Sequence, residues 1–246
     1  MKIRYFTLPN ILTLCNLLSG SFAVICAVAS IFEPDTVLGT KMLSIPTICI
    51  LLSALFDFLD GLSARLTGQY SPLGVQLDSL ADMVSFGLAP SLTLLALYNN
   101  LGGEGWWWII CLAVALCSAL RLARFNIDEE QKEEFIGLPT PALAIAVGSL
   151  AWATPAWLTP SIILAIALVG AWLLISPLRM FSLKFKGLSL RNGVNRVRYT
   201  FLLVSLAILI IGGLGSAWLV IILYIIVSVA QQIASACHKN RTKTEA

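Results

Sequence analysis

"DFLDGLSARLTGQYSPLGVQLDSLAD", residues 57–82, lies between two long apolar runs. It carries four aspartates, one arginine and no lysine. Together with the ends of the stretch itself, each run is long enough to cross a bilayer, which takes about 20 predominantly apolar residues. The stretch therefore reads as the end of one membrane helix, a short polar turn, and the start of the next. Four carboxylates at that point are costly in a chain of this kind, and the rest of the sequence says how costly.

Of the 246 residues, 58% are hydrophobic and 12% charged, against about 25% charged in soluble domains. The apolar residues come in long blocks. These features predict an all-α, polytopic transmembrane helix bundle, with residues 1–246 forming one integral membrane domain. Eight spans are expected, at 11–32, 43–66, 75–98, 106–126, 140–157, 160–178, 199–214 and 216–236. The fifth and sixth are short and meet near Pro155 and Pro160, and a six-span reading would merge or demote some of the later ones. No signal-peptide cleavage site follows "MKIRYFTLPN", and no repeat or low-complexity linker breaks the chain.

Lys and Arg orient the bundle. With eight spans, one side receives both termini and the loops after spans two, four and six, and with them 15 of the 16 basic residues; Lys41 alone falls on the other side. That side is expected to be cytoplasmic, so residues 57–82 face the cytoplasm, in a cell inner membrane. Trp106, Trp107 and Trp108 fall at the opposite interface, where aromatic belts sit.

Several chemistries are excluded. Cys15, Cys26, Cys49, Cys111 and Cys117 lie within apolar spans and Cys237 at the end of the last, with no CxxC spacing for zinc or redox work. Buried thiols pack as small hydrophobes. His238 is the one histidine and lies in the polar tail. Proton transfer in this chain must use a carboxylate, water or a bound metal.

Asp57 and Asp60 are one helical turn apart, and Gly61 and Ala64 continue their face. On the next span Gly74, Asp78, Asp82 and Ser85 recur at spacings of four, four and three. The turn "TGQYSP" makes the two helices antiparallel neighbours, bringing four carboxylates together. An isolated charge at mid-bilayer costs about 2.5–3.5 kcal/mol on insertion scales, and four like charges repel. Arg65 alone does not balance them; two divalent cations do. All-oxygen ligation selects a hard ion, Mg²⁺ or Mn²⁺. Two such ions together suit phosphoryl displacement, and the small residues leave room for a nucleotide against the helices.

The residues fit, without a gap, the signature D-x2-D-G-x2-A-R-x8-G-x3-D-x3-D: Asp57, Asp60, Gly61, Ala64, Arg65, Gly74, Asp78 and Asp82. This resembles the CDP-alcohol phosphotransferases, membrane enzymes of phospholipid synthesis with a six-span core. The resemblance implies that Asp57, Asp60 and Asp78 ligate metal. It implies that Asp82 contributes to a second metal and acts as general base toward the attacking hydroxyl. Asp57, Gly61, Ala64, Arg65 and Gly74 would then shape the CDP pocket. "LPNILTLCNLLSG" (8–20), "DMVSFGLAP" (82–90), "ALRLARFN" (119–126) and "GLPTPALA" (137–144) look like the phosphatidylserine synthase branch, membrane-integral type. The family-like catalytic segments thus span 8–145. The implied substrates are CDP-diacylglycerol and L-serine, with membrane lipid as surroundings, no nucleic-acid partner, and a homodimer as the assembly.

Serine brings a carboxylate that wants a cation. Arg121, Arg124 and Asn126, at the cytoplasmic end of the fourth span, are candidate serine ligands, because a planar guanidinium suits a carboxylate. The competing reading makes both arginines snorkelling anchors. Glycerol-3-phosphate or an inositol phosphate would want arginine equally. Asn10, Thr13 and Asn16, at successive turns of the first span, either line the nucleotide pocket or join helices, and Asn10 is also a candidate N-cap. The basic loop 179–198 reads chiefly as a positive-inside loop, the acidic 128–134 as a solvated one, and "GLPTP" as the start of the fifth span. A cation transporter is the alternative of another class. It predicts carboxylates at mid-bilayer on broken helices, whereas these cluster at the cytoplasmic rim.

Overall fold

The computed structural model describes residues 5–33, 36–37, 40–127, 135–180 and 193–244. Lys2, Arg4, the acidic loop 128–134 and residues 181–192 of the basic loop lie outside the described residues, as do the side chains of Cys237 and His238.

The helices are α1 (Leu8–Phe32), α2 (Ile45–Thr67), α3 (Pro72–Asp82), α4 (Ala89–Asn100), α5 (Ala113–Ile127), α6 (Thr140–Ala153), α7 (Pro160–Ile175), α8 (Gly193–Gly212) and α9 (Ala217–Thr244). A π-helical stretch, Met83–Leu88, fuses α3 to α4, and a 3₁₀ stretch, Gly105–Leu112, leads into α5. The protein is an integral membrane helix bundle. Among the described residues, six helical segments are long and apolar enough to span: Leu8–Phe32, Met42–Thr67, Pro72–Asn100, Gly105–Ile127, Asn195–Gly212 and Leu214–Ile233. The two short apolar spans expected from sequence are present as α6 and α7, of 14 and 16 residues. At 1.5 Å per residue they rise only about 21 and 24 Å, short of the roughly 30 Å hydrocarbon core.

Local chemistry explains the ends. Thr7, not Asn10, is the N-cap of α1; its hydroxyl accepts from the Asn10 backbone N–H at 3.4 Å. Asn10 sits within the first turn, its side-chain amide donating to the Tyr5 carbonyl at 2.9 Å. Gly68, at φ 65°, closes α2 in the left-handed conformation that glycine adopts without strain. Three residues later Ser71 caps α3, accepting from the Gly74 N–H at 3.0 Å, with Pro72 in the first turn. These residues make "TGQYSP" a turn.

That turn does not make α2 and α3 close neighbours, as the sequence suggested. The two helices touch little, because α1 packs against both, and most extensively against α2. Small and polar residues on α1 allow this: Asn16, Gly20, Ala23 and Ala27 are buried, and small residues let backbones approach in a membrane. Ser19 donates to the Cys49 carbonyl at 2.8 Å, and Thr47 to that of Gly148 on α6 at 2.6 Å. Phe58, Leu62 and Leu66 turn outward from α2 as an exposed apolar stripe.

The π stretch has an identifiable cause. Pro90 lacks the N–H that an α-helix would bond to residue 86. The ladder is already displaced there, with the Ala89 N–H on the Val84 carbonyl five residues back. Such insertions recur at functional sites, and this one begins immediately after Asp82.

Among the described residues there are also two short antiparallel ribbons: β1 (Thr36–Val37) with β2 (Thr40–Lys41), and β3 (Phe135–Ile136) with β4 (Arg179–Met180). The second continues into Gly137 N–H to Leu178 carbonyl, 2.8 Å, and Leu138 N–H to Leu173 carbonyl, 2.9 Å. Gly137 has φ 77°, and a side chain there would meet the Leu174 carbonyl. "GLPTP" therefore both starts α6 and is clasped to the end of α7. At the end of the bundle opposite the aspartates, Trp106 and Trp107 are exposed, and Trp157 meets Trp218 edge-on at 5.5 Å.

Candidate active site

The signature aspartates converge across the gap between α2 and α3. Asp57, Asp60 and Asp78 each offer a carboxylate oxygen within 4.8 Å of the others. Asp60 is buried, and Asp57 and Asp78 are half-buried. Asp82 stands one turn further along α3, outside that triangle, yet the charges of Asp57, Asp60 and Asp78 all bear on it.

Each member is held differently. The Thr13 hydroxyl donates to Asp60 Oδ2 at 2.6 Å. The Asn16 side-chain amide donates to Asp82 Oδ1 at 3.3 Å. Asp78 Oδ1 is buried with no hydrogen-bond partner, and Asp57 and Asp78 lie close enough for their charges to interact directly. No ion pair to these three carboxylates occurs among the described residues. Three hard anionic ligands in one small volume, one with an orphaned oxygen and none neutralised by a protein cation, fit a divalent cation such as Mg²⁺ or Mn²⁺.

Beside the triangle a cavity of about 150 Å³ opens between α1, α2 and α3, lined among others by Asn10, Thr13, Gly61, Ala64, Tyr70 and Gly74. Asp60 and Asp78 form part of its wall. The small residues make it: a side chain at Gly61 would project into open space, and one at Gly74 would come within 3.2 Å of Asn10 Oδ1 and Ser71 Oγ. Arg65, expected in this pocket, is not part of its lining. It is exposed in the last turn of α2, where the helix dipole favours a cation. Tyr70 and Ser71 carried no chemical signature of their own in the sequence; their place follows from the turn geometry that Gly68 and Pro72 impose.

A second cavity, of about 290 Å³, lies between α5 and α7 and is lined by Leu120, Arg121, Arg124, Ile136, Leu174, Ile175 and Ser176. The three candidate serine ligands divide here. Arg121 is buried, within electrostatic reach of Asp82 and of Tyr224 on α9, and its Nε has no hydrogen-bond partner. Arg124 is exposed at the rim. Asn126 lies outside the cavity, donating to Ser79 Oγ at 2.9 Å and so tying the end of α5 to α3. The periodicity of the sequence put Arg121 and Arg124 on the same end of one span; it could not say that only the first turns inward.

The profile of the family described as CDP-alcohol phosphatidyltransferase matches residues 6–178. Among individual proteins, the chain is 37% identical over 142 residues to the CDP-diacylglycerol–serine O-phosphatidyltransferase of Methanocaldococcus jannaschii, covering 58% of this chain and 59% of that one. It is 43% identical over 101 residues to the protein of the same name from Helicobacter pylori, covering 40% and 42%. It is 31% identical over 152 residues to the archaetidylserine synthase of Methanothermobacter thermautotrophicus, covering 59% and 58%. The matched stretch thus spans about half the length of these curated relatives.

Proposed function

This chain belongs to the CDP-alcohol phosphatidyltransferase family, and from that premise we propose that it transfers the phosphatidyl group of CDP-diacylglycerol to L-serine, releasing CMP. The observation that carries the reading is the carboxylate triangle opening onto a cavity walled by small residues. The names of the similar proteins support serine as the acceptor. Residues 1–246 act as one membrane domain in this reading, with the catalytic segments at 8–145. The site faces the cytoplasm from a cell inner membrane, and the working assembly is a homodimer.

Asp57, Asp60 and Asp78 would hold a divalent ion, Mg²⁺ or Mn²⁺, with Asp82 contributing to a second. Bound there, the ions supply positive charge against the diphosphate and the departing CMP. The protein's own groups do the rest. Gly61, Ala64 and Gly74 leave space for the nucleotide, while Asn10 and Thr13 offer polar contacts along its wall. Arg65, exposed in the last turn of α2, would attract the anionic head group. Asp82 takes the proton of the serine hydroxyl as that oxygen bonds to the phosphorus. The phosphorus–oxygen bond to CMP breaks on the opposite side, and CMP leaves with the electron pair. No covalent enzyme intermediate is needed. A serine whose hydroxyl meets Asp82 can turn its carboxylate to Arg121, which lies within electrostatic reach of the same aspartate.

Purified protein supplied with CDP-diacylglycerol, radiolabelled serine and Mn²⁺ or Mg²⁺ is expected to form lipid-soluble label that EDTA abolishes. CMP release with glycerol-3-phosphate or an inositol phosphate, but not serine, would reassign the acceptor. No CMP with any alcohol would overturn the transferase and favour cation transport.

The serine site has its own test. Arg121→Gln removes a charge-assisted hydrogen bond worth about 1.5–3 kcal/mol, so the serine KM is expected to rise about 10- to 100-fold while that for CDP-diacylglycerol holds. Arg124→Ala, at the exposed rim, should cost less. Equal effects on the two substrates would return Arg121 to a purely structural role.

A further inference from the structure

We infer that Asn16 is a positioning residue for Asp82, the side chain that sets where the general base stands; this rests on the reaction proposed above. Asn16 is fully buried on α1. It reaches Asp82, 66 positions away in sequence, through its side-chain amide at 3.3 Å. A carboxylate only accepts, so the amide nitrogen must be the atom that faces it.

A buried asparagine in a membrane bundle ordinarily joins helices. Here the main chain already does that work. The backbone carbonyl of Asn16 receives the Ser53 hydroxyl from α2 at 3.2 Å and the Ser85 hydroxyl from the π stretch at 3.1 Å. Gly20, one turn on, makes the second contact possible, since any side chain there would collide with Ser85. The three segments are thus latched at Asn16 without its side chain. What the side chain adds is a donor to Asp82, and it does so while leaving its own Oδ1 buried without a partner. Leucine, with the same number of side-chain heavy atoms, would avoid that unpaired oxygen. The amide is kept for Asp82.

The arrangement also answers a local problem. Asp82 is the last residue of α3, and the helix changes its hydrogen-bond register at the next residue. Without an outside reference, a side chain at such a junction has no reason to hold one height. Asn16 supplies that reference from α1, the helix that also carries Thr13 to Asp60. One helix thereby aligns the base with the metal-binding triangle.

The experiment measures CMP release by the full-length protein in detergent, with saturation curves for serine and CDP-diacylglycerol and the midpoint of thermal unfolding for each variant. Asn16→Leu should lower kcat about 10²-fold, the order expected when a reacting group is misplaced by about 1 Å, with both KM values little changed. Ser85→Ala, a milder change that leaves the Asn16 side chain intact, should lower kcat by a smaller factor, again without moving KM. The swap Asn16→Asp with Asp82→Asn restores a donor–acceptor pair; it should recover the unfolding midpoint of the wild type and none of its turnover. Wild-type kcat in both Asn16→Leu and Ser85→Ala would overturn the inference, whatever their stability, because helix joining alone would then account for Asn16. A rise confined to the CDP-diacylglycerol KM would overturn it too and give Asn16 to the nucleotide pocket. Absence of CMP release by the wild type with every alcohol tried would instead overturn the reaction itself, and this inference with it.

Discussion

Asp82→Asn is expected to abolish turnover while leaving CDP-diacylglycerol bound. General-base catalysis contributes typically 10²–10⁴-fold, and among the described residues no second base stands where Asp82 does. The substitution removes the base, and with it the charge Asp82 would lend a second ion, while keeping the shape of the side chain. Asparagine has the same shape as aspartate, and its carbonyl can still accept from the Asn16 amide that now reaches Asp82. The triangle of Asp57, Asp60 and Asp78 does not include Asp82, so the lipid's diphosphate keeps the part of the site that would recognise it. Binding of CDP-diacylglycerol measured on the variant, set beside its CMP release, separates the two. Retained binding with lost turnover is the expected pair. Near-wild-type turnover would sink the base assignment, and loss of both would move Asp82 into substrate binding.

Asp78→Asn is expected to weaken metal binding, and its effect on thermal stability to reverse sign when the metal is removed. Asp78 faces Asp57 and Asp60 across the gap between α2 and α3, with one oxygen buried and unpartnered. The number of charged ligands tunes affinity for hard cations over several orders of magnitude. Loss of one carboxylate from three should weaken Mn²⁺ or Mg²⁺ binding by about 10²-fold and cut CMP release at ordinary metal concentrations to near background. Without metal, the wild type holds like charges against one another, and the variant relieves that repulsion. In EDTA, Asp78→Asn should therefore unfold at a higher temperature than the wild type. With metal added, the wild type should gain the more, since a ligand that binds only the folded state stabilises it in proportion to its affinity. Thermal unfolding with and without Mn²⁺ reads this independently of turnover. A variant less stable than the wild type in EDTA would mean that Asp78 contributes packing or hydrogen bonding, and not a ligand site.

Both predictions start from residues whose spacing along the chain already marks them. Asp57, Asp60, Asp78 and Asp82 are legible in the sequence because helical periodicity is local: spacings of three and four put side chains on one face wherever the helix lies. Span positions are legible for the same reason, since the bilayer sets the length of an apolar run. The eight expected segments recur within a few residues of where composition places them. The turn "TGQYSP" is readable from Gly68, Ser71 and Pro72, whose backbone preferences act over three or four residues.

What composition and spacing leave open are the relations between segments distant along the chain. Adjacency in sequence suggested that α2 and α3 pack together; the small face of α1 takes that place, and the gap it leaves becomes the cavity beside the carboxylate triangle. Asn10, Thr13 and Asn16 share one helix face, so periodicity could not divide them. Packing does, placing Asn10 and Thr13 on the cavity wall and Asn16 on Asp82. Arg121 and Arg124, three residues apart, separate likewise into a buried cation near Asp82 and an exposed one at a rim. By itself, then, the sequence determined which residues carry charge inside the membrane and on which helix faces, because those are consequences of local geometry and the cost of burying charge. Only the tertiary structure decided which helix stands beside which, and hence what each carboxylate touches. Those contacts depend on how small residues many turns apart let backbones approach, a property that no single segment contains.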